Sequence, residues 1–197
     1  MNMKKYFFFL FINIFLSQAL SAQKLQVEVN YVMADATEKR SLIYYSPSEK
    51  LTWNDFKGKP VLSSSAAAIT NAGIGFKMAF RSKDNITTLN ITVNCNFSIA
   101  DSWVKDGRKT PYILNHEQHH FDIAYINAML FIQNLKAAKY TVKDYDKVIA
   151  KIYYQAQADM QTMQNAYDSE TKNSQLQEVQ ELWNKKIDAQ LASLAKK

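Results

Sequence analysis

The chain has 197 residues, 47% of them hydrophobic, and 24 Lys and Arg against 18 Asp and Glu give a formal charge of +6. That length suits one domain with a core of its own and is too short for two comfortable ones. The basic excess is spread without a dense block, which argues against a nucleic-acid partner, and the one cysteine, Cys95, excludes any disulfide within the chain.

The opening "MNMKKYFFFLFINIFLSQALSAQ" has two lysines, an apolar run from Tyr6 to Leu16 and small residues ending at Ala22, the layout of a secretory signal peptide. An apolar core of that length, broken by Asn13, is short against the roughly 20 residues a bilayer span needs. The expectation is therefore a signal peptide over 1–22, a single domain over 23–197, and export to a periplasm or beyond. Lys4 and Lys5 leave with the signal, so the charge falls from +6 to +4. No cysteine stands at the cleavage point to carry a lipid, and nothing downstream is apolar enough for a transmembrane segment.

Strands come next. In "LQVEVNYVM" the residues Leu25, Val27, Val29, Tyr31 and Met33 alternate with mostly polar ones, the period-2 mark of a half-buried strand. The pattern returns in "GIGFKMAF" and in "LNITVNCNFSI", and the polar link "RSKDN" between them predicts a hairpin. Cys95 falls on the alternating apolar face, as a small buried hydrophobe does. The glycosylation-type triplets at Asn85, Asn90 and Asn96 read as solvated strand positions. Between the first strand and the hairpin, "LIYYSPSEKLTWNDFKGKP" and "SSSAAAITNAG" read as short strands, turns and a surface loop.

From Thr110 the period changes. Thr110 stands where an N-cap belongs, Pro111 suits the first helical position, and a helix is predicted to about Ala138. "TVKD" predicts a Thr-capped second helix to about Tyr167, and "SQLQ" from Ser174 a capping box opening a third. The third carries an apolar stripe through Leu176, Val179, Trp183, Ile187, Leu191 and Leu194. The fold class is α+β: a small antiparallel sheet followed by three helices.

All three histidines fall in "YILNHEQHHFDIA", residues 112–124. Positions four apart on a helix share a face and lie about 5.4 Å apart along the axis, so His116 and His120 can direct two imidazoles at one ion. Glu117 sits one step along, too displaced to be an easy ligand. From there it can take a proton from a water held by the ion and later hand one to a leaving amine. This is the H-E-x-x-H arrangement of zinc metallopeptidases, with Zn2+ the expected cofactor. His119, three residues from His116, could in principle be the second ligand, but only His120 leaves Glu117 flanked by both ligand directions. His119 reads as a cleft-wall or surface residue, and Asp122 as a carboxylate that anchors a ligand histidine or a nearby backbone group from behind, or as an ordinary solvated one.

The piece "LNHEQHHFDIA", with "AYDSETKNSQLQEVQELW", "LTWNDFKGKP" and "DSWV", resembles a bacterial domain-of-unknown-function family described as predicted secreted zinc-dependent proteases, zincin-like in fold, over about Leu51 to Trp183. The resemblance implies a histidine after the "YD-x-ET" segment, and the matching position here is Asn173, a poor zinc ligand. A catalytic zinc needs a third protein ligand, for which Asp168 and Glu170 are the candidates, expected in the turn between the last two helices. Asp159 is the runner-up. Tyr167 is a candidate for stabilising an oxyanion, or a core or rim tyrosine.

The expected function is a secreted or periplasmic zinc metallopeptidase acting on a peptide or protein, aligned by strand addition to the hairpin edge. The alternative is a secreted envelope-associated binding protein with a structural or degenerate metal site, which Asn173 favours. A hydrolase of some other amide, such as cell-wall material, would share the chemistry. Oligomeric state is not legible in the sequence.

Overall fold

The structure is a computed structural model that describes residues 24–33, 41–83 and 86–194. The expected signal peptide and the triplet at Asn85 lie outside the described residues. Among the described residues no helix is long and apolar enough to cross a membrane.

Among the described residues six strands precede three α-helices: β1 (Lys24–Tyr31), β2 (Leu42–Tyr44), β3 (Ala68–Ile69), β4 (Ala72–Lys83), β5 (Ile86–Ser98) and β6 (Trp103–Val104), then α1 (Pro111–Ala137), α2 (Tyr145–Thr171) and α3 (Gln177–Leu194). The α+β class and the order of strands before helices match the sequence reading. β4 and β5 form the expected hairpin, antiparallel from Ala72 opposite Phe97 to Lys83 opposite Ile86. The other edge of β5 carries β2, antiparallel, and β1, which runs parallel to β5 with Lys24 opposite Ile86 and Tyr31 opposite Val93. The sheet is thus mixed where an antiparallel one was expected. Alternation of apolar residues reports which face of a strand is buried and carries no information on its direction.

β5 supplies the floor of the core. Leu89, Ile91, Val93, Cys95 and Phe97 are fully buried, and Phe121, Ala124, Ala128, Phe131 and Leu135, spaced three and four apart, pack from α1 into the same cluster. Each large side chain buried in this way contributes roughly 1.5–3 kcal/mol. Ile123 and Ile126 of α1 face the other way and join Tyr167, Trp183 and Ile187 in a second cluster with α2 and α3. α1 is therefore covered on both sides, and every residue from His116 to Ala124 is buried.

The helix ends differ from the sequence reading. Thr110 caps α1 as expected, its hydroxyl accepting from the Ile113 N–H at 3.2 Å. α2 begins at Tyr145, because Thr141 opens a turn in which its own N–H donates to Asp144 at 2.7 Å. It also runs a full turn past Tyr167, to Thr171. The Ser174 capping box does not form: Lys172, Asn173 and Ser174 all take left-handed backbone angles, with φ of 49°, 50° and 66°, and α3 starts at Gln177.

A chain of hydrogen bonds through the backbone and the Ser102 hydroxyl fixes the segment between β3 and β4. The Gly58 N–H donates to the Ser102 carbonyl at 2.8 Å, and a Cβ at Gly58 would lie 2.7 Å from the Ala100 carbonyl oxygen, so only glycine allows this approach. Buried Ser102 in turn accepts the Asn71 N–H at 2.9 Å, and the Ser98 N–H donates to the Asn71 carbonyl at 2.8 Å. Thr70 is held in place as the neighbour of this anchored residue.

Candidate metal centre

His116 and His120 stand one turn apart in the buried part of α1, and their Nε2 atoms are 3.2 Å from each other. One carboxylate oxygen of Asp168, Oδ1, lies 3.1 Å from His116 Nε2 and 3.0 Å from His120 Nε2. Asp168 arrives there on the last turn of α2, the turn the sequence reading assigned to a loop. Met160, Gln164 and Asp168, four apart on one face of α2, all border the space above the histidines.

The three donor atoms make a nearly equilateral triangle. Ligands bound tetrahedrally at about 2.0 Å are separated by ~3.3 Å, so the observed edges fit a zinc-sized ion after a small outward adjustment. The donor set, two imidazoles and one carboxylate, is also the chemistry zinc takes in catalytic sites. The residues therefore fit the metal that the motif implies.

Glu117 is beside this triangle and almost fully buried. The Thr70 hydroxyl donates to its Oε2 at 2.8 Å and lies 3.1 Å from its backbone carbonyl oxygen. Burial raises the Glu117 carboxyl above its ordinary range, while His120, His116 and the Thr70 hydrogen bond oppose the rise. For His120, burial works to lower the pKa, but the Asp168 hydrogen bond and the charges of Glu117 and Asp168 outweigh it and carry the ring up to about 9. Burial likewise works against ionised Asp168, and its contacts with His116 and His120 win, holding it well below the usual carboxylate range. In the metal-free protein the cluster thus holds a proton on His120 that a metal must displace.

A cavity of about 270 Å³ opens onto the cluster. The segment from Ala66 to Ala72 forms one wall, Met160, Gln161, Gln164 and Asn165 of α2 the other, and Asn173 and Ser174 close the end. His116, Glu117, His120 and Asp168 all line it. Asn173, where the resemblance implied a histidine, is a wall residue, and the third donor within reach is Asp168, five positions earlier.

The remaining candidates have other placements. Glu170 is exposed and accepts the Trp183 indole N–H at 2.7 Å, which ties α2 to α3. Asp159 is exposed and accepts from Gln155 at 2.8 Å on the outer face of α2. Asp122 is neither solvated nor behind a ligand histidine: it is buried and accepts the Tyr45 hydroxyl and the Gln118 amide, each at 2.8 Å, with the Lys50 ammonium 3.5 Å away. It fastens the loop after β2 to α1. Tyr167 is fully buried behind His116, its ring stacked at 4.4 Å and 21°, and its hydroxyl has no partner among the described residues and no place in the cavity wall. It is a core tyrosine. His119 is buried as well, facing α3, with Nδ1 donating to the Asn115 carbonyl at 2.7 Å.

Two residues of the site went unread in the sequence. Gln164 contacts His120 through both ends of its amide, and its signal was present: it precedes Asp168 by four on a helix that continues through Thr171. Thr70 has no local signal at all, because 47 residues separate it from Glu117.

An α+β chain in which two helices, the first packed on a mixed sheet, bring two imidazoles and a carboxylate to one point under an open cavity defines a class, that of proteins with a helix-borne site suited to a metal. The chain belongs to the family described as bacterial protein of unknown function (DUF922), whose model matches residues 60–175, more than half the chain and the whole of the site. No curated protein and no solved structure matches it.

Proposed function

We propose that the protein is an exported, zinc-dependent metallopeptidase in which His116, His120 and Asp168 are the metal ligands and Glu117 is the general base. The observation that carries this reading is the donor triangle, with edges of 3.0, 3.1 and 3.2 Å, facing a cavity that Glu117 also lines. Zinc held there would supply Lewis acidity, polarising a scissile carbonyl and making a water easier to deprotonate.

Glu117 then removes a proton from the attacking water and passes it to the leaving amide nitrogen. Burial suits it to that task, since a carboxylate with a raised pKa is the stronger base. Thr70 is a positioning residue: its hydroxyl holds Oε2 and stops the carboxylate from turning onto the adjacent imidazoles. The start of β4, Ala72, lies in the cavity wall, which supports strand addition along β4 as the way an extended peptide is aligned. The N-terminal sequence pattern supports export.

The alternative, a structural or degenerate site on an envelope-associated binding protein, would call for a fourth protein ligand and a closed shell. The described residues offer three donors, His116, His120 and Asp168, and an open cavity, which favours catalysis.

The test is Glu117→Gln. It should leave zinc stoichiometry unchanged and lower hydrolysis of a responsive quenched fluorescent peptide by about 10²-fold or more. Unchanged turnover rejects the mechanism. Chelation separates the alternatives, since it silences a catalytic site and unfolds a structural one.

A further inference from the structure

The two ligand histidines are held in unlike ways. His116 has its Nδ1 buried with no hydrogen-bond partner among the described residues, and its ring rests flat on Tyr167. His120 is gripped by one side chain at two points. Gln164 Nε2 donates to the His120 backbone carbonyl at 2.9 Å, and Gln164 Oε1 accepts from His120 Nδ1.

These two contacts constrain each other. A backbone carbonyl can only accept, so the amide of Gln164 must present its NH2 group there, which leaves its oxygen facing the ring. An amide oxygen can only accept in turn, so Nδ1 must carry a hydrogen. The lone pair that remains when His120 is neutral is then on Nε2, the atom 3.0 Å from Asp168 and 3.2 Å from His116 Nε2. The ring plane is fixed by the same pair of bonds, because the Oε1 that accepts from the ring and the Nε2 that donates to the backbone carbonyl belong to a single rigid amide.

We infer that Gln164 is a positioning residue for the metal centre: it selects the tautomer and orientation of His120 that put a free lone pair on Nε2 toward the ion. The inference rests on the reading of His116, His120 and Asp168 as zinc ligands. It extends that reading to a residue that touches no metal and is not a ligand itself. Partners of this kind behind a metal-bound imidazole govern affinity by about 10- to 100-fold.

The experiment compares zinc affinity, by competition with a chromophoric chelator, for the full chain and for Gln164→Leu and Gln164→Glu, with far-UV circular dichroism to establish folding. Gln164→Leu, which has no acceptor, should bind zinc about 10- to 100-fold more weakly. Gln164→Glu keeps an acceptor for Nδ1–H and loses the donor to the backbone, so it should bind at least as tightly as the natural chain. Should Gln164→Leu not fold, Gln164→Met takes its place. Natural affinity in the Leu or Met variant overturns the inference. Equal weakening in the Leu and Glu variants also overturns it, because the amide would then act only as a strut between helices. If the natural chain itself takes up no zinc, the ligand reading fails and this inference with it.

Discussion

Toward α2, His116 and His120 of α1 meet a single Asp168 oxygen at 3.1 and 3.0 Å, and a carboxamide braces one of the rings from behind. Toward α3, the same helix presents Asn115 and His119. Asn115 Oδ1 accepts from Asn184 at 2.7 Å and lies at the limit of reach, 3.5 Å, from Gln180 Nε2. His119 Nε2 is 3.7 Å from Asp188, too far for a hydrogen bond, and with Tyr112 Oη and Gln180 Oε1 it is buried without a partner among the described residues. Both seams bury polar groups, so burial does not distinguish them. Convergence does: on the α2 side the donors share one centre and carry complementary charge, whereas on the α3 side neutral amides meet at Asn115 Oδ1 and leave Gln180 Oε1 and Asn184 Oδ1 without a partner among the described residues.

The sharpest way to break this contrast is to remove one histidine from each seam. His120→Ala should weaken zinc binding by at least about 100-fold, since total binding energies of about 10–16 kcal/mol shared among the ligands leave ~3 kcal/mol or more for each. His119→Ala, one residue away, should leave zinc affinity unchanged and act through packing alone. Equal losses in the two variants, read by chelator competition, would show that the seams are not distinct.

A smaller effect is expected at the cavity wall. Thr70→Val removes the hydroxyl that holds Glu117 and keeps the shape, so kcat on a responsive peptide should fall by about tenfold, the worth of one hydrogen bond to a charged group, with zinc affinity unchanged. Thr70→Ser should restore it. A change in KM alone would assign Thr70 to substrate binding instead.

The smallest effect concerns pH. His120 in the metal-free protein has a pKa raised from 6.5 to about 9, so its stabilising contribution is complete below pH 6.5 and is lost as pH rises through 9. The thermal midpoint of the metal-free chain should therefore drop by a few degrees across that window, and Asp168→Asn should flatten the slope. Zinc runs the other way. Its apparent affinity should increase with pH up to about 9, by no more than tenfold per unit, as one proton leaves His120. A pH-independent affinity would remove the proton from the cluster.

Much of the arrangement was legible. The strand faces, the hairpin, the cap of α1 at Thr110 and the shared face of His116 and His120 all follow from local periodicity. Errors gathered at the helix ends. "YDSETKNS" looks polar enough to be a loop, yet Thr171 is buried and its hydroxyl returns to the Tyr167 carbonyl at 2.7 Å, which supports the extra turn of α2. That one turn moves Asp168 from a loop position to a helical face and explains why Asp168 and Glu170, two residues apart, point to different partners. Asp122 misled for another reason: its partners Tyr45 and Lys50 come from a loop more than 70 residues upstream.

By itself, the sequence determined the α+β class, the faces that enter the core and the two imidazoles one helical turn apart, since each depends on the geometry of a few consecutive residues. The tertiary structure alone decided the parallel direction of β1, the meeting of Asp168 with both imidazoles, the brace from Gln164 and the hold of Thr70 on Glu117. Those contacts join segments 44 to 62 residues apart. No local propensity encodes which distant side chains are brought together; that is set by how α1 is packed between the sheet and α2.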